Sequence, residues 1–506
     1  MDLHSFTIFD FFKRSARLYS RKTALLFDRN GITFGELFDQ IKALTGWLAS
    51  GGIAKGDRIA VLTKNRPEFF PLMGAVAARG AILVPINFRL SSSEMKYIFS
   101  DVEPTMFFFE SDFEQMIPEI SYGCTSLKKL IIFGSEGKNY INYDSLLNNK
   151  PGDALELDDD NPFMIIHTAA TQGRPRGSLI SHRNLLSCSI QLAGTIGLSD
   201  RDVYLNILPL FHIVGLMVAL TIVQVGGKNV IVSRFDPKAS GKLIDQEKVT
   251  LIGDFPPILS QLLDEQVKGE CTLSSLKKVI GVDLPDTAKR FENLGYGQFF
   301  AGYGQTETMG ITCNCTNAER PHSAGKQGPM VDLKIVDEFD REVEVGRPGE
   351  IVIRGPLVFQ GYWKQDELTQ HTFREGWHHT GDIGRLDEDG YLFFVGRKAE
   401  KELIKPGGEN VYPVEVEKVI LQHPGVQEVS VIGVPDPKFG EGIKAVCVLK
   451  ANGKLSEQDL IDFVAERIAR YKKPRYVFFV DTLPKREDGS IDREKVKEMY
   501  GSGRNT

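Results

Sequence analysis

The chain has 506 residues, 42% hydrophobic and 25% charged, which suits about three soluble domains with a sizeable core. Acidic side chains number 67 against 61 basic, a net charge of −6, so a nucleic-acid binder with its strong basic excess is disfavoured. Six sparse cysteines exclude a disulfide scaffold and fit a reducing compartment.

Met1 to Phe27 carries Asp2 and Asp10 where a signal peptide would have a basic start, so a cytoplasmic location is expected. Leu37 to Leu48 repeats apolar residues at helical spacing, and Gly51-Gly52 with Lys55-Gly56-Asp57 makes a turn. Arg58 to Thr63 reads as a strand, Ala75 to Ala81 as a helix and Ile82 to Pro85 as a strand again. This alternation predicts parallel sheets covered by helices.

Phe163 to Leu186 is the most informative stretch. An apolar strand runs to Thr168, a loop of small, hydroxyl and glycine residues follows, and a helix is expected from Ser181. Strand, loop and helix N-terminus together would put N–H groups and hydroxyls around an anion, with Arg174 and Arg176 adding charge. The alternative is an ordinary surface loop, and the spacing is not that of a Walker loop. Val203 to Val225 is uncharged and long enough to span a bilayer. Its Asn206, Pro209 and His212, and the stop at Gly226-Gly227, favour buried core with a functional turn. Cys313 with Cys315, and His378 with His379, are too few for a metal centre and read as structural.

From Glu350 the texture changes. Glu350 to Gly355 and Tyr391 to Val395 alternate as half-buried strands of a small antiparallel region. Beyond Gly396-Arg397 a compact unit follows, with strands near Val429–Ile432 and Ala445–Leu449 and a helix from Glu457 to Arg470.

The loop with Pro175, Gly177, Ser181-His182 and Asn184-Leu185 resembles the phosphate loop of the adenylate-forming superfamily: acyl-CoA synthetases, peptide-synthetase adenylation domains and luciferases. Further matches in family order are Thr33 to Leu37, Gly56-Asp57-Arg58, Pro209 to His212, Tyr303 to Glu307 and Gly361-Tyr362-Trp363. The series ends with Gly376-Trp377, Thr380-Gly381-Asp382, Gly396-Arg397, Gly407 to Pro413 and Pro435-Asp436. The resemblance implies an α/β fold: a large N-terminal region of parallel α/β subdomains with a small β-barrel-like subdomain, then a small mobile α+β C-terminal domain. The expected boundaries are 1–396 for the region holding ATP and the acyl pocket, 397–399 for a hinge with Ala399 as pivot, and 400–506 for the lid.

The same resemblance implies ATP, Mg²⁺ and coenzyme A as cofactors. Tyr303 would stack on adenine, in a site that includes Gly281, Val282, Gly302 and Gly304. Thr306, Thr168 and Thr171 would donate to phosphate oxygens, and Glu307 with Thr171 would hold Mg²⁺. Asp382 would accept from the ribose hydroxyls, while Arg397 and Arg176 would reach ribose or phosphate. His212 would gate the carboxylate. The acyl pocket would use Phe211, Val214, Gly215, Phe255, Gly281, Gly302, Met309 and Gly310, an apolar lining suited to a hydrophobic acid. Asp283 stands where the family has a small or proline residue. Gly407-Gly408 would border the thiol path.

Three departures stand out. The usual Thr-Ser-Gly-Thr-Thr-Gly becomes Thr168-Ala169-Ala170-Thr171-Gln172-Gly173, and Arg176 replaces the usual Lys. The C-terminal Gly-Lys-Ile becomes Gly489-Ser490-Ile491, and serine cannot neutralise charge on a reacting phosphate, so Lys485 is assigned as the substitute cation. Lys398 to Pro406 is two residues longer than usual.

The reading is an AMP-forming carboxylic acid–CoA ligase acting on a medium-chain, alicyclic or aromatic acid. Its partners are the small acid and CoA, with no nucleic acid and no transmembrane segment, and the chain acts as a monomer or homodimer. The alternatives are an acyl-AMP ligase that loads a carrier protein and a non-catalytic acyl-adenylate sensor.

Overall fold

The computed structural model describes residues 5–134, 139–168, 175–397, 403–450, 455–486 and 489–502. Two large sheets carry the N-terminal region. The first has nine strands, and its interior strands Thr23–Phe27, Lys228–Ile231, Val203–Asn206, Leu251–Asp254, Lys278–Gly281 and Gln298–Tyr303 are parallel neighbours. The second has eight, with Ile82–Pro85, Arg58–Leu62, Met106–Glu110 and Lys129–Phe133 parallel at its centre. Parallel strands need crossover helices, and the covered faces explain the wholly apolar run Met106 to Phe109, all buried.

Val203 to Val225 resolves into strand Val203–Asn206, a turn at Pro209 and helix Ile213–Val225 of 13 residues. That helix packs against Ile8–Tyr19 and His182–Thr195 and is buried from Ile213 through Val223. A helix apolar on every side must be covered on every side. No helix among the described residues is long and apolar enough to cross a membrane.

The small antiparallel sheet forms as expected. Gly349–Arg354 pairs with Trp377–Leu386, which pairs with Leu392–Arg397. Beyond it, Val426–Asp436, Gly440–Leu449 and Tyr476–Val480 form a three-stranded sheet whose two apolar clusters contain no residue before Ile404. The helix expected over Glu457 to Arg470 ends at Ala465, and a 3₁₀ turn, Arg470–Lys472, follows.

Candidate active site

Parallel strands end side by side at Asp254, Gly281 and Tyr303, and a cavity of about 480 Å³ opens beyond them. The C-terminal ends of parallel strands are where open α/β sheets leave a crevice. Gly281, Val282, Gly302, Tyr303, Gly304 and Thr306 line this cavity. So do His212, Val214, Phe255 and Gly310. The sequence-predicted adenine and acyl residues thus share one space.

Its polar wall is bonded across three elements. The Tyr303 hydroxyl donates to Asp382 Oδ2 at 2.8 Å, and the Gln305 amide donates to the same oxygen at 2.6 Å and to the Thr380 carbonyl at 3.0 Å. Arg397 Nε lies 3.5 Å from Asp382 Oδ1. The carboxylate is buried, with one oxygen accepting two hydrogen bonds and the other set beside a guanidinium, an arrangement that fixes its orientation. A smaller cavity of about 60 Å³ adjoins this wall and gathers Thr168, Thr306, Glu307, Asp382 and Arg397. Glu307 is buried, and its Oε1 accepts from the Tyr362 hydroxyl at 3.0 Å. A fixed carboxylate beside hydroxyls is an oxygen donor set that fits Mg²⁺.

His212 caps helix Ile213–Val225, its Nδ1 accepting from the Val214 N–H at 3.3 Å. Enclosure by protein pulls its pKa below the usual value, and Lys405 and Arg89 act in the same direction against Glu409. The imidazole is therefore neutral at pH 7, and the bond to Nδ1 assigns the proton to Nε2. Phe211 borders a third cavity, of about 60 Å³, together with His212, Thr168 and Thr306.

The C-terminal unit closes the cavity. Gly408 and Asn410 line it beside Phe255 and Pro256. Gly408 has φ +84°, and a Cβ there would stand 2.8 Å from Phe255 Cγ, so both conformation and space demand glycine. Gly407, φ +58°, precedes it and donates to the Phe439 carbonyl at 3.1 Å. Lys405 enters from the same loop and borders both the large cavity and the Glu307 cavity. Solvent in the cleft reaches it, yet surrounding protein and the Arg397 guanidinium hold its pKa below the ordinary lysine range, against Asp382, Glu441 and Glu307. Lys405 and Gln305 are functional candidates the sequence reading missed. The signal for Lys405 was the lengthened segment before Gly407-Gly408; for Gln305 nothing but its place inside Tyr303 to Glu307 marked it.

Other expected residues stand apart. Met309 is fully buried, and a Cβ on Gly215 would lie 2.4 Å from the Pro209 carbonyl oxygen, so both pack behind the lining. Arg176 places its guanidinium 5.7 Å from the Tyr362 ring centroid, one residue removed from Glu307. Thr171 and the hinge residues 398–399 lie outside the described residues. The structure does not bring Lys485 to the cavity: its Nζ pairs with Glu428 at 2.6 Å within the C-terminal unit, and Ser490 is exposed.

The expected strand–loop–helix anion site is corrected. Arg176–Ser181 is itself a strand, antiparallel to Pro162–Thr168, so helix His182–Thr195 starts about 20 Å of strand away from the loop. The hairpin wins because Gly177 to Ser181 is paired on both sides, with Pro162–Thr168 and with Gly361–Tyr362, and buries most of its residues in the eight-stranded sheet. Asp283 does border the cavity. Burial raises the pKa of fully buried Asp254 well above the carboxylate range, aided by Asp283, whose own pKa is raised by burial. Asp254 therefore holds its proton to higher pH than an ordinary carboxylate, which lessens the negative charge on this wall. His379 bonds with Glu350 at 3.0 Å beside Arg374 and Asp340.

Residues 12–363 match the AMP-binding enzyme family, and residues 415–489 match the AMP-binding enzyme C-terminal domain. Feruloyl-CoA synthase of Amycolatopsis sp is 32% identical over 96% of this chain and 98% of its own length. Indoleacetate–CoA ligase of Aromatoleum aromaticum is 32% identical over 96% of each chain. A solved structure of o-succinylbenzoate CoA synthetase from Bacillus subtilis, a double mutant with a product analogue, superposes with TM-score 0.85 at 29% identity, covering 96% of this chain and 98% of that one. Fold, site and relatives place the protein among the adenylate-forming enzymes: the chain belongs to the AMP-binding enzyme family. Within it, the protein is an acyl-CoA synthetase, an AMP-forming acid–thiol ligase.

Proposed function

We propose that the protein activates a hydrophobic carboxylic acid, aromatic, alicyclic or medium-chain, and passes its acyl group to CoA. In the first step the carboxylate attacks the α-phosphorus of ATP and pyrophosphate leaves. In the second the CoA sulfur attacks the acyl carbonyl, the thiol proton leaves with the displaced phosphate, and AMP is released. The observation that carries this reading is the single cavity joining the Tyr303–Asp382 wall, the Phe255 and Val214 surface and the Gly408 loop.

Tyr303 would face adenine and Asp382 the ribose hydroxyls, its free oxygen steadied by Arg397. Thr168 and Thr306 would donate to phosphate, with Thr171. Mg²⁺ bound at Glu307 would offset phosphate charge. Neutral His212 would point an Nε2–H at the acyl oxygen. In the present arrangement Lys405, with Arg397, borders the cavity of Thr168, Thr306 and Glu307, suited to stabilise AMP as it leaves. Turning the C-terminal unit about residues 397–399 would withdraw Lys405 and present the Lys485–Ile491 hairpin, making Lys485 the cation of the first step.

The test follows acyl-CoA and AMP by mass spectrometry. One set of reactions receives MgATP, CoA and a panel of benzoic, cinnamic, cyclohexanecarboxylic and C8–C12 fatty acids; a parallel set receives their synthetic adenylates with CoA. Acyl-CoA in both sets is expected. Product with a phosphopantetheinyl carrier but never with CoA would replace the reading by carrier loading, and silence in all would replace it by a sensor.

A further inference from the structure

Lys472 lies at the meeting of the two units. It ends the turn Arg470–Lys472, and its side chain is 3% exposed. Its Nζ stands 2.6 Å from Glu94 Oε1, in the N-terminal region, and 2.8 Å from Glu415 Oε2, in its own unit. Both glutamates hold the third position of a helix and close its first turn. Glu94 Oε2 accepts from the Ser91 N–H at the start of Ser92–Val102, and Glu415 Oε1 accepts from the Tyr412 N–H at the start of Pro413–Ile420. Each carboxylate therefore spends one oxygen on its own helix and the other on Lys472.

A buried ammonium with one partner would face a large penalty when that partner left. Here Glu415 travels with Lys472 in every orientation of the C-terminal unit, whereas Glu94 does not. Separation from Glu94 leaves no lone charge on Lys472, and the contact can be made and broken repeatedly. Burial raises Glu94, but the Lys472 ammonium and the Ser91 bonds outweigh it and hold its pKa below the usual value, so the link is ionic at neutral pH. Arg89 and Glu409 form a second bridge between the units nearby.

We propose that Glu94 is a positioning residue: by capturing Lys472 it holds the C-terminal unit where Gly408 and Lys405 face the cavity, the arrangement that serves thiol transfer. The inference rests on the two-step reading above. Its consequence is a residue that governs one half-reaction without touching either substrate.

The experiment compares the parent protein, Glu94→Gln and Glu415→Gln. Glutamine preserves the helix-capping bond at either position, so only the ionic link is removed. Pyrophosphate release with ATP and cinnamic or decanoic acid reads the first step; transfer from synthetic cinnamoyl- or decanoyl-adenylate to CoA reads the second. Glu94→Gln is expected to slow transfer by about tenfold while pyrophosphate release stays within about twofold. Glu415→Gln, which keeps the bridge between units, is expected to transfer faster than Glu94→Gln. Equal slowing of both steps by Glu94→Gln, unchanged transfer, or an equal effect of Glu415→Gln would overturn the proposal. Hydrogen–deuterium exchange gives a readout free of any substrate: Glu94→Gln should raise uptake at Gly408–Asn410 and Tyr471–Lys473. A parent protein inactive towards every acid would sink the ligase reading, while unaltered exchange would sink the latch.

Discussion

The two sides of the cavity are held by different forces. The wall from Gly281 to Tyr303 stands on parallel strands whose neighbours are buried apolar residues, Val279, Ile280, Phe299 and Phe300. Its polar groups are fixed to one another, Tyr303 and Gln305 both donating to Asp382. The opposing loop, Lys405 to Asn410, belongs to a unit with its own apolar clusters, and two ion pairs tie that unit to the first: Glu94 with Lys472, and Arg89 with Glu409. Apolar burial is non-directional and hard to reverse piecemeal, while the pair between units can part without stranding a charge on Lys472, which keeps Glu415. The proposed two-step reaction on one cavity would use this contrast, a rigid wall for the nucleotide faced by a unit that can part from it.

The largest break in this contrast is expected at the rigid wall. Asp382→Ala would leave the Tyr303 hydroxyl without its acceptor, leave the Gln305 amide only the Thr380 carbonyl, and remove the proposed ribose contact. Pyrophosphate release should fall by about 10³-fold, close to 4 kcal/mol of transition-state stabilisation, measured with saturating acid. Loss under tenfold would show that the Asp382 network is only structural.

Lys405→Ala should lower transfer from a preformed adenylate to CoA by about 10²-fold, with a smaller effect on adenylate formation. Its pH profile sharpens the point. Lys405 loses its proton at lower pH than an ordinary lysine, because enclosure and Arg397 oppose its charge. Activity that depends on the charged form is full below that pKa and fades as pH rises through it. Lys405→Arg should therefore move the alkaline limb of the transfer rate upward. An unmoved limb would assign it to another group.

Lys485→Ala separates the two arrangements of the lid. Adenylate formation should slow by about 10²-fold with transfer unchanged, since Lys485 pairs with Glu428 away from the cavity here. The smallest effect is expected from Gly408→Ala, about tenfold on transfer, because the new Cβ meets Phe255 at 2.8 Å in a conformation alanine resists. Adenylate formation, with the loop withdrawn, should be spared.

Much of this was legible before the fold. Runs such as Ile59 to Leu62 and Ile82 to Pro85 are apolar without alternation, the mark of strands covered on both faces. Tyr303, Thr306, Glu307 and Asp382 stand in motifs whose residue types suit adenine, phosphate, metal and ribose. The loop after Thr168 was misread for a local reason. Ser181 does cap helix His182–Thr195, as helix-start rules predict, but the residues just before it pair as a strand with Pro162–Thr168, a contact that local spacing does not record.

By itself the sequence determined the covered parallel sheets, the small antiparallel region, the separate C-terminal unit and the order of the chemical motifs. These depend on periodicity and short spacing, which a linear chain records. Only the tertiary structure decided that Lys405 rather than Lys485 faces the cavity here, that Gln305 shares Asp382 with Tyr303, and that Lys472 bridges Glu94 and Glu415. Those choices join residues up to 378 positions apart. Their energy comes from burial and charge at a contact between units, and no local pattern in the chain carries a record of it.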